Sequence, residues 1–415
     1  MADDKFKLIT SNLQEVLNPE IIEEVLKKNE RPLKIYWGTA TTGKPHCGYF
    51  VPMLKIAEFL AAGCEVSVLL ADVHGFLDAL KSPIELVAQR VKYYRFVITE
   101  ALKACNVSVD RLKFVIGSDY QIRGSERSYF FDLLRLSTTE SVRDAEKAGS
   151  DVVKQMASPP LSNLIYPLMQ ALDEEYLGVD AQFGGLDQRK IFTLASEALP
   201  HIGYAKRAHL MNPLIPGLQE GGKMSSSEPD SKIDFLDTPD VVKRKLKKAF
   251  CPPKQVEGNG VLSFTEFVIL PVSALKNNGT PKFVVERRDA EPLVYSNIED
   301  MRKDYEADVL SPQTLKPAVT EALLSLLAPI QKSFNESTEA QKVERAAYPP
   351  PPAKKKKEKN LGDPSRNPRL KAEMEAKGDI AAKADGSVEG PGADAANVGA
   401  SAAEAMSKMN IDKTS

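Results

Sequence analysis

The run Leu33-Lys34-Ile35-Tyr36-Trp37-Gly38 is apolar over strand length and reads as a buried strand. From Tyr49 to Ala62 apolar positions recur at helical spacing, and Gly63 is a natural stop. Cys64 to Asp72 is a second apolar run of strand length. Strand, helix and strand in that order form the unit of a parallel sheet. A long helix over about 83–105 leads to a further strand at Leu112–Gly117. The polar stretch 118–150 breaks the alternation and reads as an insertion between two halves of the sheet. Leu161–Gly178 has helical spacing, Val179–Phe183 is a short strand, and Asp187 can cap the next helix. Beyond Asp234 the pattern changes. Thr238-Pro239 starts a helix with proline at its first position. Further helices are predicted over about 298–307 and 313–335, with a two-stranded piece at Phe283–Arg287 and Leu293–Ser296 between the two groups. The pattern predicts an α/β parallel-sheet domain over 1–234 and a mostly helical domain over 235–348.

Composition changes the picture at the end of the chain. Aromatic residues stop at Tyr348. A proline run follows, then Lys354-Lys355-Lys356-Lys357-Glu358-Lys359, then a Lys/Ala-rich end. Such a segment buries too little apolar surface to offset its ordering entropy, so 349–415 is expected to be disordered. The 415 residues are 42% hydrophobic and 27% charged, ordinary for a soluble protein. The net charge of −2 means that any nucleic-acid contact comes from a local patch. No apolar run reaches the roughly 20 residues that span a bilayer, so no membrane segment is expected. The N-terminus Met-Ala-Asp-Asp-Lys does not read as a secretory signal. Cys47, Cys64, Cys105 and Cys251 are scattered and form no metal-ligand pair, which fits a reducing cytosol.

Three stretches carry candidate chemistry. Gly38-Thr39-Ala40-Thr41-Thr42-Gly43-Lys44-Pro45-His46-Cys47-Gly48-Tyr49 leaves a strand and enters a helix, where parallel sheets bind ligands and helix N-termini attract anions. Gly38, Gly43 and Gly48 let backbone approach a ligand, and His46 can donate to a phosphate oxygen. Neither G-x-G-x-x-G nor the P-loop pattern is present, and a glycine turn with a capping histidine is the plainer reading. About 180 residues on, Lys223-Met224-Ser225-Ser226-Ser227 follows a glycine-bearing run. One cation and three hydroxyls on such a loop suit a clamp on phosphates. Between them, Tyr166, Gln170 and Asp173 share one helix face, flanked by apolar residues. Unaided, that face is more simply a self-satisfied polar cluster in a helical core. Asp187-Gln188, behind Gly184-Gly185, adds polar groups at the same sheet edge. A fourth stretch, Lys243-Arg244-Lys245-Leu246-Lys247-Lys248, makes a local positive field. A solvated helix face is the commoner fate of such a run, and nuclear import is a third option.

Assembled, these residues resemble the tyrosyl-tRNA synthetases of the eukaryotic cytoplasmic and archaeal type, which are class I aminoacyl-tRNA synthetases. The resemblance covers about 30–348. It is closest in I-Y-W-G-T-A-T-T-G-K-P-H at 35–46, Y-P-L-M-Q-A-L-D-E-E-Y at 166–176, V-D-A-Q-F-G-G-L-D-Q-R-K at 179–190 and K-M-S-S-S at 223–227. The family's His-Ile-Gly-His signature stands here as His46-Cys47-Gly48-Tyr49, and its Lys-Met-Ser-Lys-Ser signature has Ser226 in place of the second lysine. The resemblance implies a Rossmann-like parallel-sheet catalytic domain followed by a helical anticodon-binding domain. It implies activation of L-tyrosine with ATP as substrate, then transfer to tRNA(Tyr). Mg2+ is expected with ATP, without a dedicated protein metal site. ATP would be held by Gly38, Thr42, His46, Gly48, Asp187 and Lys223, with Ser225, Ser226 and Ser227 closing on the phosphates. Tyr36 and Asp173 would contact the phenolic hydroxyl of tyrosine; Tyr166, Gln170 and Gln188 would lie at its ammonium side. Buried groups that hydrogen-bond a hydroxyl reject an analogue lacking it by roughly 10⁴–10⁵, a range for which tyrosyl enzymes are themselves the reference case. The resemblance further implies a cytoplasmic homodimer with the 118–150 insertion near its interface. Family members stack an aromatic on an anticodon base; the segment around 286–292 lacks one, with Phe283 and Tyr295 the nearby substitutes. Human-type relatives carry a further C-terminal folded domain where this chain has the 349–415 tail, whose lysine run could add non-specific tRNA affinity.

Three alternatives stand beside this reading: a tryptophanyl-tRNA synthetase, a nucleotidyltransferase without tRNA, and a non-catalytic RNA-binding relative. Asp173 with Tyr36 argues against the first, the helical domain with its basic helix against the second, and intact His46 and Lys223 against the third.

Overall fold

A computed structural model describes residues 2–350, apart from 79–82, 110, 123–127, 154–155, 157, 222–223, 225–230 and 289. Among the described residues, six strands form one sheet: β1 (Glu15–Leu17), β2 (Lys34–Ala40), β3 (Glu65–Ala71), β4 (Leu112–Ile116), β5 (Ala181–Gly185) and β6 (Ala208–Asn212). Their spatial order is β1-β6-β5-β2-β3-β4. β2 pairs in parallel with β3 on one side, Ile35 opposite Val66, and with β5 on the other, Ile35 opposite Ala181. β1 is an antiparallel edge, Glu15 opposite Met211. Parallel strands covered on both faces need near-continuous apolar runs, which is why Val66, Val68, Leu69 and Leu70 are all buried.

The connectivity positions the site. From β2 the chain steps outward through β3 to β4, then returns to the other side of β2 and steps outward through β5 to β6. The order reverses between β2 and β5, so the crevice beyond the carboxyl ends of those two strands is the natural ligand site.

β2 and the helix that follows come out as the apolar pattern predicts. A single 3-10 turn, Cys47–Tyr49, opens into the helix Phe50–Ala61, and Gly63 ends it at φ 88°. The strand predicted at Val179–Phe183 is shifted to Ala181–Gly185. Asp187 does not cap the next helix; it lies inside a 3-10 turn, Leu186–Gln188, ahead of Arg189–His201. β1 and β6 escape the apolar pattern. β1 is three residues long, and β6 carries His209, a polar residue that only its buried partner Glu174 explains.

The insertion is helical: Gly117–Gln121, Tyr129–Ser137 and Val142–Gly149. It forms a second apolar cluster with Ser162–Tyr176 and Arg189–His201, through Tyr129, Leu136, Leu172 and Ile191. Beyond 235 lie the helices Pro239–Lys248, Ile298–Glu306, Pro312–Glu336 and Thr338–Ala347, with an antiparallel pair β7 (Phe283–Val285) and β8 (Leu293–Tyr295). The last two helices pack on Ile84–Ala104, and one apolar core runs from Ile9 through Ala347. Residues 1–348 form one compact unit. The expectation of disorder in the tail falls almost wholly on 351–415, outside the described residues. Among the described residues no helix is long and apolar enough to cross a membrane.

Candidate active site

Tyr36, Tyr166, Gln170, Asp173 and Gln188 line one cavity of about 270 Å³ in the crevice beyond β2 and β5. The five come from β2, the helix Ser162–Tyr176 and the turn after β5. Gln170 Nε2 donates to Gln188 Oε1 at 2.8 Å, which joins the helix to the turn. Tyr36 is fully buried, its hydroxyl 3.4 Å from the Gln170 carbonyl. Asp173 is 0% exposed. Its Oδ1 accepts from Gln121 Nε2 at 2.8 Å and from Tyr129 Oη at 2.9 Å. Oδ2 makes no well-formed hydrogen bond to the described residues, and His74 Nε2 stands 3.8 Å from it. Burial raises the Asp173 carboxyl to about 7 against the pull of these donors, and burial lowers His74 to about 4. His74 is therefore neutral at pH 7. The cavity thus holds a desolvated carboxyl, its Oδ1 bound by Gln121 and Tyr129 and the Tyr120 hydroxyl close by, beside a neutral imidazole.

A second cavity, about 350 Å³, is lined by His46, Gly48, Asp187, Asn212 and Met224. Trp37 and Tyr49 line both cavities, so the two adjoin. Tyr49 meets His46 edge-on at 5.4 Å and Trp37 at 5.9 Å, and its hydroxyl is 2.9 Å from Thr39 Oγ1. His46 caps the 3-10 turn: its Nδ1 accepts from Gly48 N at 3.2 Å. Burial, with the Lys232 cation nearby, lowers His46 to about 3, so the ring is neutral. An accepting Nδ1 on a neutral ring puts the proton on Nε2, which makes His46 a neutral donor. Gly48 is required by the cap, because a Cβ there would stand 2.9 Å from His46 Cε1.

The other sequence candidates fall differently. Gly38 lines the first cavity, not the second, and Thr42 is buried without lining either. Lys223, Ser225, Ser226 and Ser227 lie outside the described residues; of that loop Met224 is placed, in the second cavity. Phe283 and Tyr295 face each other across the β7–β8 pair, both less than 5% exposed, and Tyr295 Oη donates to Asp304 at 2.8 Å. Neither can stack on a base. In the basic run, Leu246 is core and Lys245 is paired with Asp237 at 2.7 Å. Lys243 and Lys247 line a groove with Lys316, Pro317 and Leu324. Among the described residues no group of three His, Cys, Asp or Glu side chains could hold a metal ion.

Sequence reasoning missed His74, Gln121, Tyr129 and Gln182, and gave Tyr49 a place in the first signature but no role. His74 had a usable signal, lying just past the carboxyl end of β3. Gln121 and Tyr129 had none, since the insertion reaches Asp173 only through the tertiary fold.

A family model described as tRNA synthetases class I (W and Y) matches residues 27–328. The chain is 54% identical over 350 residues to the cytoplasmic tyrosine–tRNA ligase of Saccharomyces cerevisiae, covering 84% of this chain and 88% of that protein. It is 54% identical over 369 residues to the cytoplasmic tyrosine–tRNA ligase of Danio rerio, covering 88% of this chain and 66% of that longer protein. A crystal structure of tyrosyl-tRNA synthetase complexed with L-tyrosine, from Archaeoglobus fulgidus, superposes with a TM-score of 0.72 at 36% identity, covering 80% of this chain and 99% of that one.

Proposed function

We propose a division of labour between the two cavities on the premise that the chain belongs to the tyrosine–tRNA ligases, a branch of the class I tRNA synthetases. The enzyme activates L-tyrosine with ATP and passes the tyrosyl group to tRNA(Tyr). The substrate carboxylate attacks the α-phosphate, giving tyrosyl-adenylate and pyrophosphate. A hydroxyl of the terminal tRNA ribose then attacks the acyl carbon, and AMP leaves. No side-chain nucleophile is needed, so the protein contributes position and electrostatics.

The observation that carries this reading is the union of five residues from three separate stretches of the chain in one cavity that adjoins a second holding His46, Gly48 and Asp187. In the first, Tyr36 and Asp173 Oδ2 offer the phenolic hydroxyl an acceptor and a donor. Tyr166, Gln170 and Gln188 lie toward the ammonium. In the second, His46 Nε2–H donates to phosphate oxygen without adding a charge, and Lys223 with Ser225, Ser226 and Ser227 closes from the second signature loop. Mg2+ would arrive on the phosphates of ATP.

The basic groove of Lys243, Lys247 and Lys316 suits tRNA phosphate. The insertion exposes Phe130, Phe131 and Leu134 on one helix, and Leu161 and Ile165 are exposed at the start of the helix Ser162–Tyr176 that packs on it. Such a surface favours burial against a second copy, hence a homodimer. The relatives' names support a cytoplasmic location, and the basic helix is a candidate signal for a nuclear share.

ATP–pyrophosphate exchange across a panel of amino acids tests the activity. Exchange with tyrosine and not with phenylalanine or tryptophan is expected; tryptophan-dependent exchange, or none, would overturn the reading.

A further inference from the structure

Thr42, Gly43 and Lys44 precede His46 in the loop between β2 and its helix, and their carbonyls are held from distant parts of the chain. Tyr94, on the helix Ile84–Ala104, donates its hydroxyl to Gly43 O at 2.5 Å. Lys232 Nζ donates to Lys44 O at 3.0 Å. Tyr348 Oη reaches Gly43 O at 3.0 Å and Thr42 O at 3.3 Å. From the same end of the chain, Glu344 pairs with Lys44 Nζ at 2.5 Å. Tyr94 and Lys232 belong to the parallel-sheet part of the chain. Tyr348 and Glu344 are about 300 residues away from the loop they hold.

The end carrying Tyr348 is itself anchored. Arg90 Nε donates to the Ala347 carbonyl at 3.2 Å, and its guanidinium lies 4.9 Å from the centre of the Tyr348 ring. Tyr93 meets that ring edge-on at 5.3 Å. The hydroxyl is therefore presented by a fixed ring, not by a side chain searching for a partner.

We propose that Tyr348, seconded by Glu344, is a positioning residue for adenylate formation: the last turn of the folded unit holds the nucleotide loop from behind. In a trans peptide the carbonyl and the following N–H point oppositely. Holding the carbonyls of Thr42 and Gly43 therefore turns the N–H groups of Gly43 and Lys44 away from the tyrosines that hold them. It also fixes the approach to His46, whose neighbour Cys47 donates its N–H to Ile233 O at 2.8 Å. A loop held this way meets ATP already ordered; one released must be ordered by the nucleotide, at a cost in affinity. The tyrosine cavity draws none of its lining from residues 42–46, so its affinity does not share that cost.

This rests on the reading of that loop as the nucleotide site. The test is ATP–pyrophosphate exchange on the full chain. Tyr348→Phe keeps the ring, and with it the Arg90 and Tyr93 packing, and deletes only the hydroxyl. Its KM for ATP is expected to rise about 3- to 10-fold while the KM for tyrosine and the melting temperature stay near wild type. Glu344→Gln is expected to move the ATP KM the same way by less, since that pair is partly exposed. An unchanged ATP KM in both variants overturns the inference and leaves the activity reading intact. Equal rises in both KM values also overturn it, since they mean a general structural role. Failure of the wild type to exchange with tyrosine overturns the activity reading and this inference with it.

Discussion

Tyr129 donates its phenolic hydrogen to Asp173 Oδ1 across 2.9 Å, joining the helical insertion to the lining of the first cavity. With Gln121 on the same oxygen, the insertion aims Asp173.

That aim gives the first prediction. Asp173→Ala should lower kcat/KM for tyrosine by at least about 100-fold, because a buried hydroxyl loses its hydrogen-bond partner. The KM for ATP should stay within about threefold. Steady-state exchange kinetics in both substrates decide it; unchanged tyrosine kinetics would remove the selector role.

The pH dependence of stability has a worked sign. Burial raises Asp173 to about 7, against about 3.9 for an unfolded carboxyl. Between those values the folded state keeps a proton that the unfolded state releases, so this group's contribution falls as pH rises from about 4 to about 7. His74, lowered to about 4, acts oppositely: its contribution falls as pH drops from about 6.5 to about 4. Relative to wild type, Asp173→Asn should therefore gain stability as pH rises from about 4 to about 7. Urea denaturation at several pH values measures the gap, and a constant gap would contradict the raised carboxyl.

Gly48→Ala places a Cβ at 2.9 Å from His46 Cε1 and 3.0 Å from its Nδ1. The ring must move, and the cap to Gly48 N goes with it. Adenylate formation should slow by about 10- to 100-fold with little change in melting temperature. Single-turnover kinetics at wild-type rate would show that the ring position does not matter.

Glu174 and His209 form a fully buried pair at 2.7 Å; Glu174 follows Asp173 in sequence, and the His209 ring stacks on Phe192. His209→Ala leaves the Glu174 carboxyl group in the core without its hydrogen-bond partner, and should cost about 2 kcal/mol of unfolding free energy. A loss below about 1 kcal/mol by chemical denaturation would refute this.

Truncation after Tyr348 should leave adenylate formation intact, because every contact described for the nucleotide loop lies at or before that residue. Its expected effect is weaker tRNA binding at low salt, from loss of the 354–359 lysine run. A truncated protein unable to activate tyrosine would contradict it.

Periodicity alone settled much of the parallel sheet. β2 and β3, inside the sheet, are buried through most of their length, so their runs are largely apolar and stand out in one dimension; β4, a half-buried edge strand, was still legible as a short apolar run. Spacings of four and three put Tyr166, Gln170 and Asp173 on one helix face by helical geometry alone. The order of β5 and β6, on the far side of β2, was not legible, because pairing depends on which faces are covered and not on any local pattern. The same holds for Gln121, Tyr129 and His74 around Asp173. Phe283 and Tyr295 had the right residue type for stacking on RNA, but the hairpin turns both inward. Local sequence determined most of the elements and which residues share a helix face, since backbone propensity and burial periodicity are local properties. Tertiary packing alone decided that the insertion bonds Asp173 and that the far end of the folded unit grips the loop of Thr42 and Gly43. Those contacts join residues brought together by closing long stretches of chain, and no spacing rule carries across such a closure.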